Sequence, residues 1–453
     1  MVSRRGFLGS AGAFAALGGC VGFSRGDKPV LRVGIVTDTH VGKTDESCAR
    51  VRLAYRLFRD LGVDLVHNNG DVADAHCPTG YAAYRRMMDE VFAGVPAACR
   101  PKFTFTYAAH DAFFYNGSTV RSDYARNWPA AFADMQRILG ANDPWTTFEL
   151  KGYAFVIVPQ FLRTEGKDPE EAGSRYYERY EKAVAEACAK HPGEPVFLFC
   201  HVPPAFTTAS AGCDHRYYEI LSKHPQVVNI AGHTHGSLAD ERNIWQGTFT
   251  NVNCGCLQNW SPKNILCGFA AGDQPRIENY GAVVMEVFGD RIVFRRFDVR
   301  DGSEYAADDP WRVPLPFDPE SAPYRDEARA VREVAPQFAS GAEPEIAFTH
   351  GENPMVEVAF PHTEGLPRAM RYKVELEVLR HGWGGAKERF LRKDALGDFW
   401  RTAAERRMEP RAKVLFPAAH LGRRSECRVT VTPEGFFGAV GRPISGNFTT
   451  PME

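Results

Sequence analysis

The chain has 453 residues, 44% of them hydrophobic, with 54 Lys and Arg against 56 Asp and Glu for a formal charge of −2. That length implies two or three folding units, and that apolar content excludes wholesale disorder. The near-balance of charge removes any electrostatic basis for an extended nucleic-acid track.

The first twenty residues read as a targeting segment. Ser3-Arg4-Arg5-Gly6-Phe7-Leu8, followed by a weakly apolar Gly/Ala-rich stretch to Gly19, matches a twin-arginine export signal. Leu17-Gly18-Gly19-Cys20 resembles a bacterial lipobox, which would make Cys20 a lipidated residue. The stretch is too short and too Gly-rich to span a bilayer. The expected location is therefore extracytoplasmic, on a bacterial membrane facing the periplasm or the outside, with membrane contact only through a lipid anchor at Cys20. Besides Cys20 the chain has ten cysteines, an even number that permits disulfides in an oxidising compartment. Cys254-Gly255-Cys256 is too closely spaced for a zinc ribbon.

Five buried strands are predicted next, each ending in a short polar signature. Leu31–Thr37 precedes Asp38-Thr39-His40, and Val63–Asn69 precedes Gly70-Asp71-Val72-Ala73-Asp74. Lys102–Tyr107 precedes Ala108-Ala109-His110-Asp111, Pro195–Cys200 precedes His201, and Val227–Ala231 precedes Gly232-His233-Thr234-His235. Between them lie apolar stripes of helical period: Val51, Ala54, Leu57, Phe58, Leu61; then Tyr84, Met87, Met88, Val91; then Tyr177, Tyr180, Val184, Ala187. The alternation implies an α/β domain. Gly247–Val252, Gly281–Phe288 and Arg291–Phe297 read as short strands completing its second sheet, the last pair joined by a Gly289-Asp290 turn. Residues 301–340 carry Pro310, Pro314, Pro316, Pro319, Pro323 and Pro336 and read as a linker with a short helix near Asp326–Glu333. Beyond it, Glu345–Thr349, Met355–Phe360, Arg371–Leu379, Ala412–Phe416 and Cys427–Thr432 predict a β-sandwich over residues 341–450, similar to a fibronectin type III module.

Ligands of open α/β sheets bind beyond the carboxyl ends of the strands, so the five signatures are expected to converge. Their order, D-x-H, G-D-x-x-D, H-D, H and G-H-x-H, resembles the calcineurin-like metallophosphoesterase family over residues 28–300. The resemblance implies a four-layer α/β/β/α sandwich, followed here by the all-β sandwich. It also implies two divalent ions (Mn, Zn or Fe), with Asp38, His40 and His235 on the first, Asp71 bridging, and His201 and His233 on the second. Residues i and i+2 of an extended strand end share a side, which suits Asp38/His40 and His233/His235, while Gly70 and Gly232 allow close backbone approach. His110 is expected to donate a proton or hydrogen bond to the leaving oxygen, with Asp111 orienting its ring. Asp74 is expected either to steady a ligand imidazole or to cap a helix.

The family carries Gly-Asn-His where this chain has Ala108-Ala109-His110, so an amide ligand is missing and the second ion is expected to be weakened. Asn69 is a candidate to compensate, being on the strand face of Asp71. The function these residues imply is a metal-dependent phosphoric ester hydrolase. It would cleave a phosphomonoester or phosphodiester of a small molecule or glycan through a metal-bridging hydroxide. The alternative is a non-catalytic surface lipoprotein that uses a degraded phosphoesterase fold and the β-sandwich to bind glycans or proteins.

Overall fold

The run Leu31–Val36 forms strand β1, and its alternate residues Leu31, Val33 and Ile35 enter a core shared with Phe155, Ile157, Phe197, Phe199, Val228 and Ile230 of a second sheet. The computed structural model describes residues 28–42, 45–113, 124–160, 169–208, 214–258, 280–365, 367–383, 389–397 and 410–452. The proposed export segment with Cys20, and two of the other cysteines, Cys213 and Cys267, lie outside these residues.

The first sheet contains β1, β2 (Leu65–Asn68), β3 (Lys102–Phe105), β10 (Gly281–Val287), β11 (Arg291–Asp298), β12 (Ser303–Tyr305) and β13 (Trp311–Pro314). Its order is β12-β11-β10-β1-β2-β3, with β13 also beside β11. The second sheet, in the order β4-β5-β6-β7-β9-β8, is built from β4 (Thr146–Leu150), β5 (Tyr153–Ile157), β6 (Val196–Phe199), β7 (Val227–Ala231), β8 (Ile244–Gln246) and β9 (Thr250–Asn253). Helices α1 (Asp45–Leu61), α2 (Pro78–Phe92) and α4 (Tyr124–Asp134) cover the outer face of the first sheet through Tyr55, Phe58, Tyr84, Met88 and Phe132. Helices α5 (Pro169–Lys190) and α6 (His215–Leu221) cover the second through Tyr180, Val184, Tyr217 and Leu221. Each such large apolar side chain stabilises the fold by about 1.5–3 kcal/mol. Gly34 sets the approach of α1, because a Cβ there would fall 2.6 Å from the Phe58 ring. The result is the four-layer α/β/β/α arrangement expected from the sequence.

Three sequence expectations change here. β10 and β11 belong to the first sheet, because β10 lies antiparallel to β1 with Val283 opposite Ile35; only β8 and β9 extend the second. The predicted strand over 247–252 is instead two short strands around a turn at Gly247, where a Cβ would meet the Trp245 ring at 2.3 Å. The first sheet also continues into the Pro-rich stretch, since β12 and β13 both pair with β11.

The C-terminal strands form a sheet β14-β15-β18 and a sheet β17-β16-β19-β20. The first comprises Glu345–Phe348, Met355–Pro361 and Arg411–Pro417; the second comprises Phe390–Leu396, Arg371–Arg380, Glu426–Glu434 and Ile444–Thr449. They enclose Val358, Phe360, Tyr372, Leu376, Phe416 and Val429. The short helix α7 (Asp326–Arg332) joins the two parts. Arg329 on α7 donates to the carbonyls of Glu241 and Ile244, while the Glu333 carboxylate accepts from the N–H groups of Phe436, Phe437 and Ala439. Among the described residues Cys77, Cys99, Cys188, Cys200, Cys254, Cys256 and Cys427 are free thiols, and no helix is long and apolar enough to cross a membrane.

Candidate metal centre

Beyond β1 the chain zips along the loop after β2: Asp38 N–H donates to Gly70 O and His40 N–H to Asp71 O, both at 3.0 Å. This pairing holds the first two signatures together. Asp38, His40, Asp71, His233 and His235 all have positive φ, between 42° and 69°. The strand therefore does not remain extended through the signatures, as the i, i+2 pattern assumed. The chain turns left-handed at each of these five positions, a conformation that costs a non-glycine residue roughly 1 kcal/mol or more. Gly70 (φ 97°) is needed because a Cβ would lie 2.6 Å from His201 Nδ1, and Gly232 because one would lie 2.0 Å from Thr37 Oγ1.

The six predicted ligands come together in two sets: Asp38, His40 and His235, and Asp71, His201 and His233. A third grouping, His40, Asp71 and His110, links them through Asp71. Asp38 Oδ2 accepts from Thr37 Oγ1 (2.6 Å) and His233 N–H (2.9 Å). That leaves Oδ1 facing three imidazole nitrogens, His235 Nε2 at 3.2 Å, His201 Nε2 at 3.8 Å and His40 Nε2 at 3.9 Å. His201 Nδ1 donates to Asn69 O at 2.7 Å, which directs Nε2 inward, 3.1 Å from Asp71 Oδ2; a deprotonated Nε2 would offer its lone pair to a metal there. Asp38 Oδ1 and His201 Nε2 are buried without an aligned hydrogen bond. Hard carboxylates and borderline imidazoles converging in one buried volume fit divalent ions of the Zn, Mn or Fe type.

The electrostatics agree. Burial would push the Asp38 and Asp71 carboxyls up, but neighbouring imidazoles, His201 foremost, hold both below the usual carboxylate range. Burial works against charge on His201 too, yet Asp71 and Asp38 raise it to about 9; His235 is raised as well, chiefly by Asp38 against its own burial. Burial lowers His233 to about 4. Two ionised carboxylates in a dry site demand cationic charge, which protonated imidazoles supply here and metal ions would supply better.

His110 is steadied by Asp74, and the Asp111 side chain is turned elsewhere. Its Nδ1 lies 3.1 Å from Asp74 O and 3.5 Å from Asp74 Oδ1, while the same Oδ1 sits 3.3 Å from His40 Nδ1. The buried Asp111 carboxylate accepts instead from the N–H groups of Ala73 (2.9 Å) and Ala108 (3.2 Å), tying two signature loops together. Burial, reinforced by Asp71, raises its pKa to about 7. Asn69 does not reach the second set through its amide: Nδ2 donates to Ile230 O and Oδ1 accepts from Thr106 Oγ1. Gln160, beyond β5, was not singled out in the sequence, yet its Oε1 accepts the N–H of Ala109 at 2.9 Å. No motif marks it; only the position at a strand end on the same rim could have suggested it.

Residues 31–237 match the family model described as calcineurin-like phosphoesterase. This stretch resembles a calcineurin-like phosphoesterase domain. The chain carrying it is a metal-dependent phosphoric ester hydrolase. No curated protein matches the chain at a significant level. Among solved structures, a dimetal phosphatase from Danio rerio is 15% identical over 64% of this chain and 100% of its own, with a TM-score of 0.41. A purple acid phosphatase from yellow lupin seeds is 14% identical over 63% of this chain and 54% of its own, also at 0.41. The phosphopantetheinyl hydrolase of Mycobacterium tuberculosis is 17% identical over 51% of this chain and 91% of its own, at 0.30. Within the phosphoesterase domain, the matched segment ends at the G-H-x-H signature, so it contains all six candidate ligands and His110.

Proposed function

We propose that this chain is an exported phosphoesterase that hydrolyses a small-molecule or glycan phosphomonoester or phosphodiester outside the cytoplasm. The observation that carries the chemistry is the gathering of two carboxylates and four imidazoles around Asp38 Oδ1 and Asp71. Asp38, His40 and His235 would hold one ion, and Asp71, His201 and His233 the other, with Asp71 near both. When bound, such ions supply an ionised water at neutral pH and offset charge on phosphoryl oxygens. His110 then acts as the donor to the leaving oxygen. With Nδ1 committed to Asp74, its Nε2–H is free for substrate, and the carboxylates favour the protonated ring.

Export rests on the Arg4-Arg5 segment, and anchoring on Cys20. The strand order β14-β15-β18 packed on β17-β16-β19-β20 supports a fibronectin type III-like reading of the C-terminal module. The test is hydrolysis of para-nitrophenyl phosphate and its bis ester with Mn, Zn or Fe supplied. Turnover that is lost in Asp71→Asn and His110→Gln supports the enzyme. Absence of turnover and of bound metal under every condition would leave the glycan- or protein-binding alternative.

A further inference from the structure

The second donor set has three members, Asp71, His201 and His233; three protein ligands leave a fourth position that a water or a further neutral donor can fill. Residue 109 offers only a methyl group. The side chain that approaches this position is Gln160. Its main-chain N–H donates to Tyr107 O at 2.8 Å, and its Oε1 accepts from Ala109 N–H at 2.9 Å, so it is strapped at two points to the segment leading into His110. The next N–H along, that of His110, donates to Asp71 Oδ1 at 3.0 Å.

Ala109 and His110 open a single helical turn, α3 (Ala109–Ala112), in which consecutive N–H groups point the same way along the axis. Their acceptors, the Gln160 amide oxygen and the Asp71 carboxylate, therefore both lie at the N-terminal end of this turn. Strand register agrees with this. β5 runs parallel to β6 with Ile157 opposite Phe199, so the chain from Ile157 to Gln160 advances along the segment that presents His201. An amide oxygen has two lone pairs, and the Ala109 N–H occupies one.

We propose that Gln160 completes the second metal set, its side-chain oxygen serving beside Asp71, His201 and His233 as the neutral donor that Ala109 cannot provide. The inference rests on the two-metal reading above. A neutral carbonyl oxygen among these ligands favours Mn over softer ions.

The test is calorimetric titration of the full chain with Mn, with bound metal counted by elemental analysis. The parent, Gln160→Met (volume kept, oxygen removed), Gln160→Glu and the double variant Gln160→Met/Ala109→Asn are compared. The parent should bind two ions. Gln160→Met should weaken one ion about tenfold or more and leave the other unchanged. Gln160→Glu, which still accepts the Ala109 N–H, should tighten that same ion, and Asn at 109 should restore it in the double variant. Gln160→Met binding both ions within about threefold of the parent overturns the proposal. So does equal weakening of both ions by Met and Glu, which would mark a purely structural strap. A parent that binds no Mn, Zn or Fe overturns the two-metal reading itself, a distinguishable result.

Discussion

Asp74 grips two imidazoles at once, so its removal tests the reaction geometry. Asp74→Ala deletes the Oδ1 contacts at 3.3 Å to His40 and 3.5 Å to His110 but keeps the main-chain acceptor at 3.1 Å from His110. Hydrogen bonds to charged partners contribute about 1.5–3 kcal/mol, and losing a group that orients a metal-binding imidazole costs about 10–100-fold. Both lost contacts are long and His110 keeps one support, so the lower end applies: roughly tenfold in kcat/KM, or about 1.4 kcal/mol. Asp74→Asn, whose amide oxygen still accepts, should fall between the parent and Ala. The pH profile gives an independent reading. Burial lowers the His110 pKa, but Asp74 and Asp71 outweigh it and the net shift is upward. A proton donor is active while protonated, so activity should fall as pH rises through that raised pKa. Without the Asp74 carboxylate the alkaline limb should move to lower pH. The assay is kcat/KM for para-nitrophenyl phosphate at saturating Mn, from about pH 5 to about pH 9. An unmoved alkaline limb with a rate within about twofold of the parent would refute the role assigned to Asp74.

Chelation should abolish hydrolysis and lower Tm, because ions that bind only the folded state stabilise it by about 2.7 kcal/mol at a hundredfold excess over Kd; identical melting with and without Mn would count against the metal centre. Glu333→Ala removes a carboxylate shared by three main-chain N–H groups. It should cost on the order of 2–3 kcal/mol and split unfolding into two calorimetric transitions, with a single unchanged transition as the contrary result. His67 is buried against the Phe199 ring at 3.6 Å, and burial lowers its pKa to about 3. Below about pH 6.5 the unfolded chain takes up a proton that the folded chain refuses, so stability should fall by about 1.4 kcal/mol per pH unit down to about pH 3. His67→Gln should flatten that part of the denaturation profile, and parallel curves for variant and parent would exclude the effect.

The α/β character and the six ligand positions were legible because each buried run ends in polar residues that have no place in a core. The sheet to which β10 and β11 belong was not legible. Apolar alternation marks a strand but not its partner, and the pairing of Val283 with Ile35 spans most of the chain. Asp111 looked like the natural partner of His110 by adjacency. One helical turn aims its carboxylate back at the N–H groups of Ala73 and Ala108, however, leaving the ring to Asp74. Gln160 was invisible because a lone glutamine after a strand has no signature, and only the two-sheet stacking brings it beside residue 109.

The left-handed backbone at Asp38, His40, Asp71, His233 and His235 bears on how this centre can be dissected. Alanine at these positions removes the ligand atom but keeps the steric penalty of a Cβ in that conformation, a penalty that coordination offsets in the native chain. Glycine deletes the ligand while relaxing the main chain, and asparagine tolerates the same torsion with a neutral oxygen. A glycine variant that melts above the parent yet binds no metal would show that coordination is maintained at the expense of foldedness. Such a centre would be one that drifts readily toward a stabler, inert descendant whenever selection for turnover is relaxed.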